Sequence, residues 1–329
     1  MRRCLPVLFF ASLLACRRDA PRPPEAPATI APTPLRFAWP VGARATVTER
    51  VLKKGRRATT RYDIVTQREG STILVYYRDF AFLELEGFDL DDPTVREQIA
   101  ALESQVAGAI PPYRIAADGT WLGCGELDTM LDGLVAVLPA AHVATFREMM
   151  ANPKIRAVVE AKIRDVWQAW VEGWLGLELA PGERIEGSSA IEIAGVPALL
   201  PYVIERLPGN AATIELRATS EISGATAQAM VGVLLEEIIA AFPDRLGAKG
   251  RETAAVAAEL AVRRVHLREV TLDRATMLPR RALSRVTIVV QGEQTVESIE
   301  SHEWIFAWDG EAAAVTDRSA LPVGARRTN

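Results

Sequence analysis

The sequence predicts an α+β fold: a large, curved, mainly antiparallel sheet with helices packed on one face. Three observations predict it. Blocks of period-two alternation recur along the chain, separated by turn residues. Stretches with a 3.6-residue apolar period are inserted between those blocks. One strand, 71–85, is apolar on both of its faces and needs cover on both. Runs of strands with helices inserted between them belong to the α+β class.

The first strand is set by Ala43, Ala45, Val47 and Val51, which alternate with Arg44, Thr46, Thr48 and Arg50 and leave one wet face. Lys54-Gly55 is a turn, and a second strand runs through Tyr62, Ile64 and Thr66 to a turn at Gly70. In the third strand the alternation puts Ile73, Val75, Tyr77 and Leu83 on one side and Leu74, Tyr76, Phe80 and Phe82 on the other. Asp92-Pro93 is a cap and first-turn pair for a helix carrying Val95, Ile99, Leu102 and Val106. A short strand at 113–117 ends in Asp118-Gly119. Further helices carry Leu127, Leu131, Leu134 and Leu138, then Val143, Phe146 and Met150. The last of the group opens at Asn152-Pro153 and carries Ile163, Trp167, Trp170 and Trp174 at helical spacing. After Pro181-Gly182 strands return at 185–193, through Tyr202 and Ile204, and at 213–222. Helical stretches at 225–242 and 252–260 precede three long strands at 263–273, 280–291 and 294–308.

The N-terminus carries an address. Met1-Arg2-Arg3 is a short basic segment, and the apolar run Leu5 to Leu14 is too short for a membrane-spanning helix, which needs roughly 20 residues. The run stops at Leu13-Leu14-Ala15-Cys16, where charge begins. This resembles the lipobox of bacterial lipoprotein precursors. The resemblance implies cleavage between Ala15 and Cys16, with 1–15 as the signal peptide. It also implies a diacylglyceryl group on the Cys16 thiol and acylation of the new amino group. Two or more chains make membrane anchoring stable, at about 0.8 kcal/mol per buried CH₂. Arg17 comes next after the cysteine; because Asp at that place retains lipoproteins of enteric bacteria at the inner membrane, the resemblance implies the outer membrane. Residues 16–34 are rich in proline, from Pro21 to Pro34, and form an extended tether that reaches on the order of 50 Å at about 3.1 Å per residue.

Composition bounds the rest. The 329 residues carry 38 Lys+Arg against 42 Asp+Glu, a net charge of −4, and loss of Arg2 and Arg3 makes the balance more acidic still. That argues against a nucleic-acid partner. Residues 35–320 suffice for one large domain or two small ones, and 321–329 is a tail. Of three cysteines, Cys4 leaves with the signal and Cys16 takes lipid, so Cys124 has no disulfide partner within the chain. It reads as a small buried apolar residue more readily than as a reactive thiol.

The strand–strand–strand–helix order occurs twice, which suggests halves at 35–178 and 179–320, with Tyr62 and Tyr202 in equivalent strands. Hairpin grammar repeating by itself gives the same order. The order and the export signal together are similar to the half-barrel periplasmic carriers and lipoprotein chaperones of the LolA-like and LppX-like type. The residues nearest to a motif for it are Asp273, Thr276 and Pro279 in a hairpin connection. No ligand residue carries across.

Residues that point to chemistry are few. His266 and His302 lie on terminal strands that can pair, and with Glu303 or Glu269 they could serve a metal or acid–base catalysis. Arg264 and Arg268 flank His266, so a partly exposed polar face explains them as well. His142 starts a helix. Glu236-Glu237 read as a solvated helix face, and Asp89, Asp91 and Asp92 as a loop and cap without calcium-loop spacing. There is no zinc, phosphate-loop or serine-hydrolase motif, so neither metal nor cofactor is expected. Trp167, Trp170 and Trp174, with Tyr76, Phe80 and Phe82, either line an apolar cleft or form core against the sheet.

Three functions remain in play. The first is a non-catalytic, membrane-anchored envelope protein that scaffolds or assembles a protein partner. The second is a carrier of lipid or another apolar ligand. The third is an enzyme using His266 and His302. The address is testable by itself: Cys16→Ser should leave uncleaved or soluble protein that takes up no radiolabelled palmitate, and equal incorporation by wild type and variant would refute the lipobox.

Overall fold

The computed structural model describes residues 33–125, 127–193, 196–210, 212–228, 260–292 and 295–309. The expected signal peptide, Ala15, Cys16, most of the expected tether, most of the helical stretches expected at 225–242 and 252–260, Glu236-Glu237 and the expected tail lie outside them. The described elements are eleven strands and four α-helices. The strands β1 (Arg44–Lys53), β2 (Arg56–Glu69) and β3 (Thr72–Leu85) precede α1 (Pro93–Ala109), and β4 (Tyr113–Ala116) and β5 (Trp121–Cys124) come after it. Next are α2 (Leu127–Val137), α3 (Ala140–Ala151), α4 (Pro153–Trp170) and a 3₁₀ turn at Glu172–Trp174. The chain continues through β6 (Arg184–Ile193), β7 (Val196–Leu207) and β8 (Thr213–Ser223), and residues 224–228 are helical. It ends with β9 (Ala261–Asp273), β10 (Pro279–Gln291) and β11 (Thr295–Trp308).

All eleven strands join one open antiparallel sheet in the order β5-β4-β3-β2-β1-β11-β10-β9-β8-β7-β6. The first and last strands are therefore neighbours at its middle. Ala45 faces Trp308, Val47 faces Phe306 and Glu49 faces Trp304. Directly opposed residues of antiparallel strands share a face. One face of the sheet centre is thus aromatic and apolar. Ala45, Val47, Tyr62, Ile64, Val75, Tyr113, Leu216, Val270, Ala282, Trp304, Phe306 and Trp308 are buried on it.

Helix α4 supplies the plug for this face. Proline opens the helix, where a missing N–H costs nothing. Trp170, at its C-terminal end, meets Tyr77, Tyr113, Trp304 and Phe306 with centroids 5.1–6.3 Å apart, two of the contacts edge-on. Trp167 and Trp170 are 0% exposed and Trp174 is 1% exposed. Trp174 belongs to the 3₁₀ turn, not to the helix. The backbone departs from helical geometry at Val171, with φ −141°. The helical spacing of the three tryptophans therefore holds for two of them, and the third returns through a hydrogen bond from its Nε1 to the Ala169 carbonyl, 2.9 Å.

An N-terminal strap closes the plug. Leu35 pairs its backbone with Leu177 and Gly176, while Ala38 N–H donates to the Thr276 carbonyl. Trp39 Nε1 donates to the Met277 carbonyl, 3.1 Å, and its ring packs edge-on against Trp167 and Trp308. The hairpin it grips is built by Asp273. That carboxylate accepts from the Ala275 and Thr276 N–H groups and the Thr276 hydroxyl.

The third strand departs from plain alternation. Asp79 has φ 54°, and the register against β2 shifts between the Arg61 and Asp63 pairings. Such a bulge adds one residue and reverses the facing of the residues that follow, until a second register shift between the Thr60 and Thr59 pairings restores it for Glu84 and Leu85. Phe80 therefore stacks 6.3 Å from Tyr62, on the face of Tyr77, with Phe82 opposed to Thr60 beside it. Tyr76, before the bulge, points the other way. Beyond the end of β4, the free edge of β3 is held by α1: Glu103 Oε1 accepts from Phe82 N–H at 2.6 Å and Arg96 donates to the Phe82 carbonyl. A helix laid on an open strand edge blocks strand addition.

The opposite face carries charge. Glu205, Arg217, Glu269, Arg281, Glu303 and Arg50 succeed one another across six neighbouring strands. Successive nitrogen–oxygen distances are 3.1, 2.8, 3.7, 2.8 and 3.6 Å. Within this line the Glu303 side chain is only 4% exposed.

The plug yields a direct test. Trp170→Ala should cost about 3–5 kcal/mol, as large-to-small core changes do, and lower the denaturant midpoint accordingly. An unchanged midpoint would show that α4 does not bear on the sheet centre.

Candidate functional site: a polar cluster on the aromatic face

Towards one end of the aromatic face the side chains become polar. Glu49 on β1, Tyr62 on β2 and His302 on β11 form one network. His302 Nδ1–H donates to Glu49 Oε1 at 2.9 Å, and Tyr62 donates to Glu49 Oε2 at 3.3 Å. Glu300 lies 3.5 Å from His302 Nε2 and pairs with Lys53 at 3.1 Å. The His302 ring stacks on Trp304, 18° from parallel. Burial disfavours the imidazolium, but the hydrogen bonds and charges of Glu49 and Glu300 outweigh it and raise the His302 pKa. Next to this network Tyr77 donates to Tyr113 at 2.7 Å, and burial pushes both phenols, and that of Tyr62, well above the ordinary value.

The second histidine is differently placed. His266 is on β9, separated from β11 by β10, so the two imidazoles do not form one site. His266 Nε2 shares a 2.9 Å hydrogen bond with Ser284 Oγ, the geometry of a base and a nucleophile. A base must hold the proton it takes. Burial first, and then the charges of Arg268, Arg264 and Lys162, lower the His266 pKa to about 3. The surroundings of His266 thus oppose the imidazolium that acyl transfer needs.

The aromatic candidates do not gather in one cleft. The three tryptophans and Phe80 pack in or against the filled core, Phe82 is half-buried beside them, and Tyr76 is on the opposite face. There Tyr76 lines an open depression of about 540 Å³ with Gln67, Arg68, Glu69 and Arg114, a polar setting. Cys124 is half-buried on β5. Burial, then the charge of Glu160, raises its thiol pKa, which opposes reactivity. His142 is exposed on α3. Asp92 caps α1 through the Thr94 and Val95 N–H groups, and Asp89 accepts from Asp91 N–H. Among the described residues no group of three or more His, Cys, Asp or Glu is arranged to hold a metal ion.

Sequence reasoning missed the Glu49–Tyr62 link and the tyrosine pair. Glu49 is an acidic residue at an inward position of β1, in phase with Ala45 and Val47, and that phase was a readable signal of a buried carboxylate. It also missed the charge ladder, whose members each look like ordinary outward-facing residues of separate strands. No protein-family model matches this sequence, and no curated protein matches it.

The two histidines predict opposite pH effects. The His266 site makes the fold weaken as pH falls from about 6.5 towards about 3, because over that range the unfolded chain binds a proton that the folded site refuses. His302 is raised, so its contribution is complete below its ordinary value near 6.5 and is lost as pH climbs through the folded pKa. Denaturant midpoints against pH should show a shallower acid decline for His266→Gln and a lost neutral-to-alkaline decline for His302→Gln. Profiles parallel to wild type would contradict both assignments.

Proposed function

We propose that this chain is a lipid-anchored protein of the bacterial cell envelope that acts without catalysis, as a scaffold or assembly factor for a protein partner. The anchor is the lipidated Cys16, the membrane is the outer one, and the proline-rich segment holds the domain off its surface. In this reading the sheet is curved, the helices pack on one face, and the halves 35–178 and 179–320 derive from duplication. Two features support the duplication. β1-β2-β3 and β6-β7-β8 progress in the same direction across the sheet, and each set leads through helical residues to the adjoining strand, β4 or β9.

The observation that carries the partner reading is the filling of the aromatic face by Trp167, Trp170 and Trp174, while large apolar side chains point outwards elsewhere. Phe88 is 55% exposed beyond the end of β3, Leu83 is 48% exposed on that strand, and Leu102 and Leu134 are exposed on α1 and α2. These elements touch one another. Outward apolar residues gathered on neighbouring elements mark protein contact sites. A second reading, the carrier of lipid or another apolar ligand, draws on Phe80 and Phe82, half-buried on the aromatic face beyond Trp170.

A photo-crosslinker at Phe88 of the full-length protein in its native envelope separates the two. The partner reading expects one discrete protein adduct, absent when the crosslinker sits at Leu199, exposed on β7 towards the other edge of the sheet. No protein adduct, together with stoichiometric lipid in the detergent-free extract of the domain, would overturn it in favour of the carrier.

A further inference from the structure

We propose that Arg264, His266 and Arg268 form a binding site for a phosphate-type anionic group, whatever partner the domain serves. The three side chains occupy alternate positions of β9 and therefore share its aromatic-side face, at about 3.3 Å of strand per residue. The two arginines lie on either side of the histidine along the strand, near enough for both charges to act on it. Neighbouring strands add hydroxyls, not carboxylates. Ser220 of β8 lies opposite His266, and Ser284 of β10 lies opposite Arg268 and bonds the imidazole. Ile222 and Ile288 flank Arg264, so the cation is set in an apolar border.

Among the described residues the charges facing this stripe do not balance. From α4, Asp165 lies 3.6 Å from Arg268 but also 3.6 Å from Lys162, and Gln168 accepts from Arg268 at 3.3 Å. Glu300, two strands away, and Glu49, three strands away, share the face and are engaged with Lys53, His302 and Tyr62. Glu221 and Glu269 are on the opposite face, paired with Arg263, Arg217 and Arg281. Among the described residues Arg264 therefore has no hydrogen-bonded acid, and Arg268 keeps a buried Nε without an acceptor. Burial opposes the charge of both guanidiniums, and the charge of Asp165 favours it without outweighing burial. A half-buried Arg264 without a hydrogen-bonded acid and an Arg268 with one buried donor unmet are costly unless an anion completes them, and a guanidinium fork meets a phosphate through two parallel bonds. His266, neutral at pH 7 with its pKa near 3, adds a hydrogen-bonding group without adding repulsion.

The test uses the full-length lipidated protein in a non-ionic detergent, titrated calorimetrically with inorganic phosphate and, separately, with dihexanoyl phosphatidic acid. The wild type should bind at least one probe, more weakly as salt rises. Binding of both identifies a free phosphate site, and binding of the lipid alone identifies a headgroup site. Arg264→Gln, which breaks no ion pair among the described residues, and the double variant with Arg268→Gln should each lose about tenfold or more in affinity, the worth of one charged hydrogen bond. Arg263→Gln, on the opposite face, should bind as wild type does. Melting curves confirm that each variant is folded, and the single variant stands if the double one is not. No binding of either probe by the wild type, or equal binding by Arg264→Gln and wild type, would overturn the proposal.

Discussion

The pairing of β1 with β11 is the constraint on which the rest of the structure depends. Glu49 and His302, 253 residues apart in sequence, are hydrogen-bonded across that pairing. Without it the molecule is two open meanders, β1 to β5 and β6 to β11, with β1 and β11 each left unpaired on one edge. With it, Ala45 and Val47 join Trp304, Phe306 and Trp308 in one continuous surface. Closing so long a loop is not prohibitive, since closure entropy grows only with the logarithm of length. The pairing is repaid on both faces: by the tryptophan plug on one, and by the contact of Arg50 with Glu303 on the other.

The two faces use different physics. On the aromatic side the gain is area removed from water, with edge-on ring contacts fixing how Trp39, Trp167 and Trp170 fit. On the other side a line of alternating Glu and Arg residues spans six strands. Each carboxylate in its middle has cations on both sides, so its charge is met from two directions. A single exposed pair contributes little. A network in which Glu303 is almost buried sets register, because a slip by one residue would place each charge on the apolar face.

The polar end of the aromatic face breaks this division of labour. Acids, histidines and arginines stand there in the phase that elsewhere holds core residues. Glu49, Tyr62 and His302 satisfy one another, so that group is self-contained. Arg264, His266 and Arg268 are not met by equal negative charge from the described residues. Departures from core chemistry at core positions are where function is sought, because the fold alone has no use for them.

The sequence by itself determined the local elements and their order. Alternation, caps and turn residues are short-range signals: Asp92-Pro93 starts α1, Asp273 builds the last hairpin but one, and Ala45, Val47 and Val51 fix the inward phase of β1. The lipobox-like end of the apolar run at Cys16 is equally local, and the address proposed from it makes no reference to fold. Only the tertiary structure decided which strands meet and what each face then encloses. Alternation says that a strand has an inside but not whose inside it shares, so the meeting of β1 with β11 was not legible. The Asp79 bulge inverts Phe80 and Phe82 through a single φ value that composition does not reveal. The kink at Val171 takes Trp174 off the helix for the same reason. His266 and His302 looked like one pair in the sequence because both sit on late strands. The sheet order places β10 between them, and that interposed strand, a fact of topology and not of sequence, gives each histidine its own partners and its own chemistry.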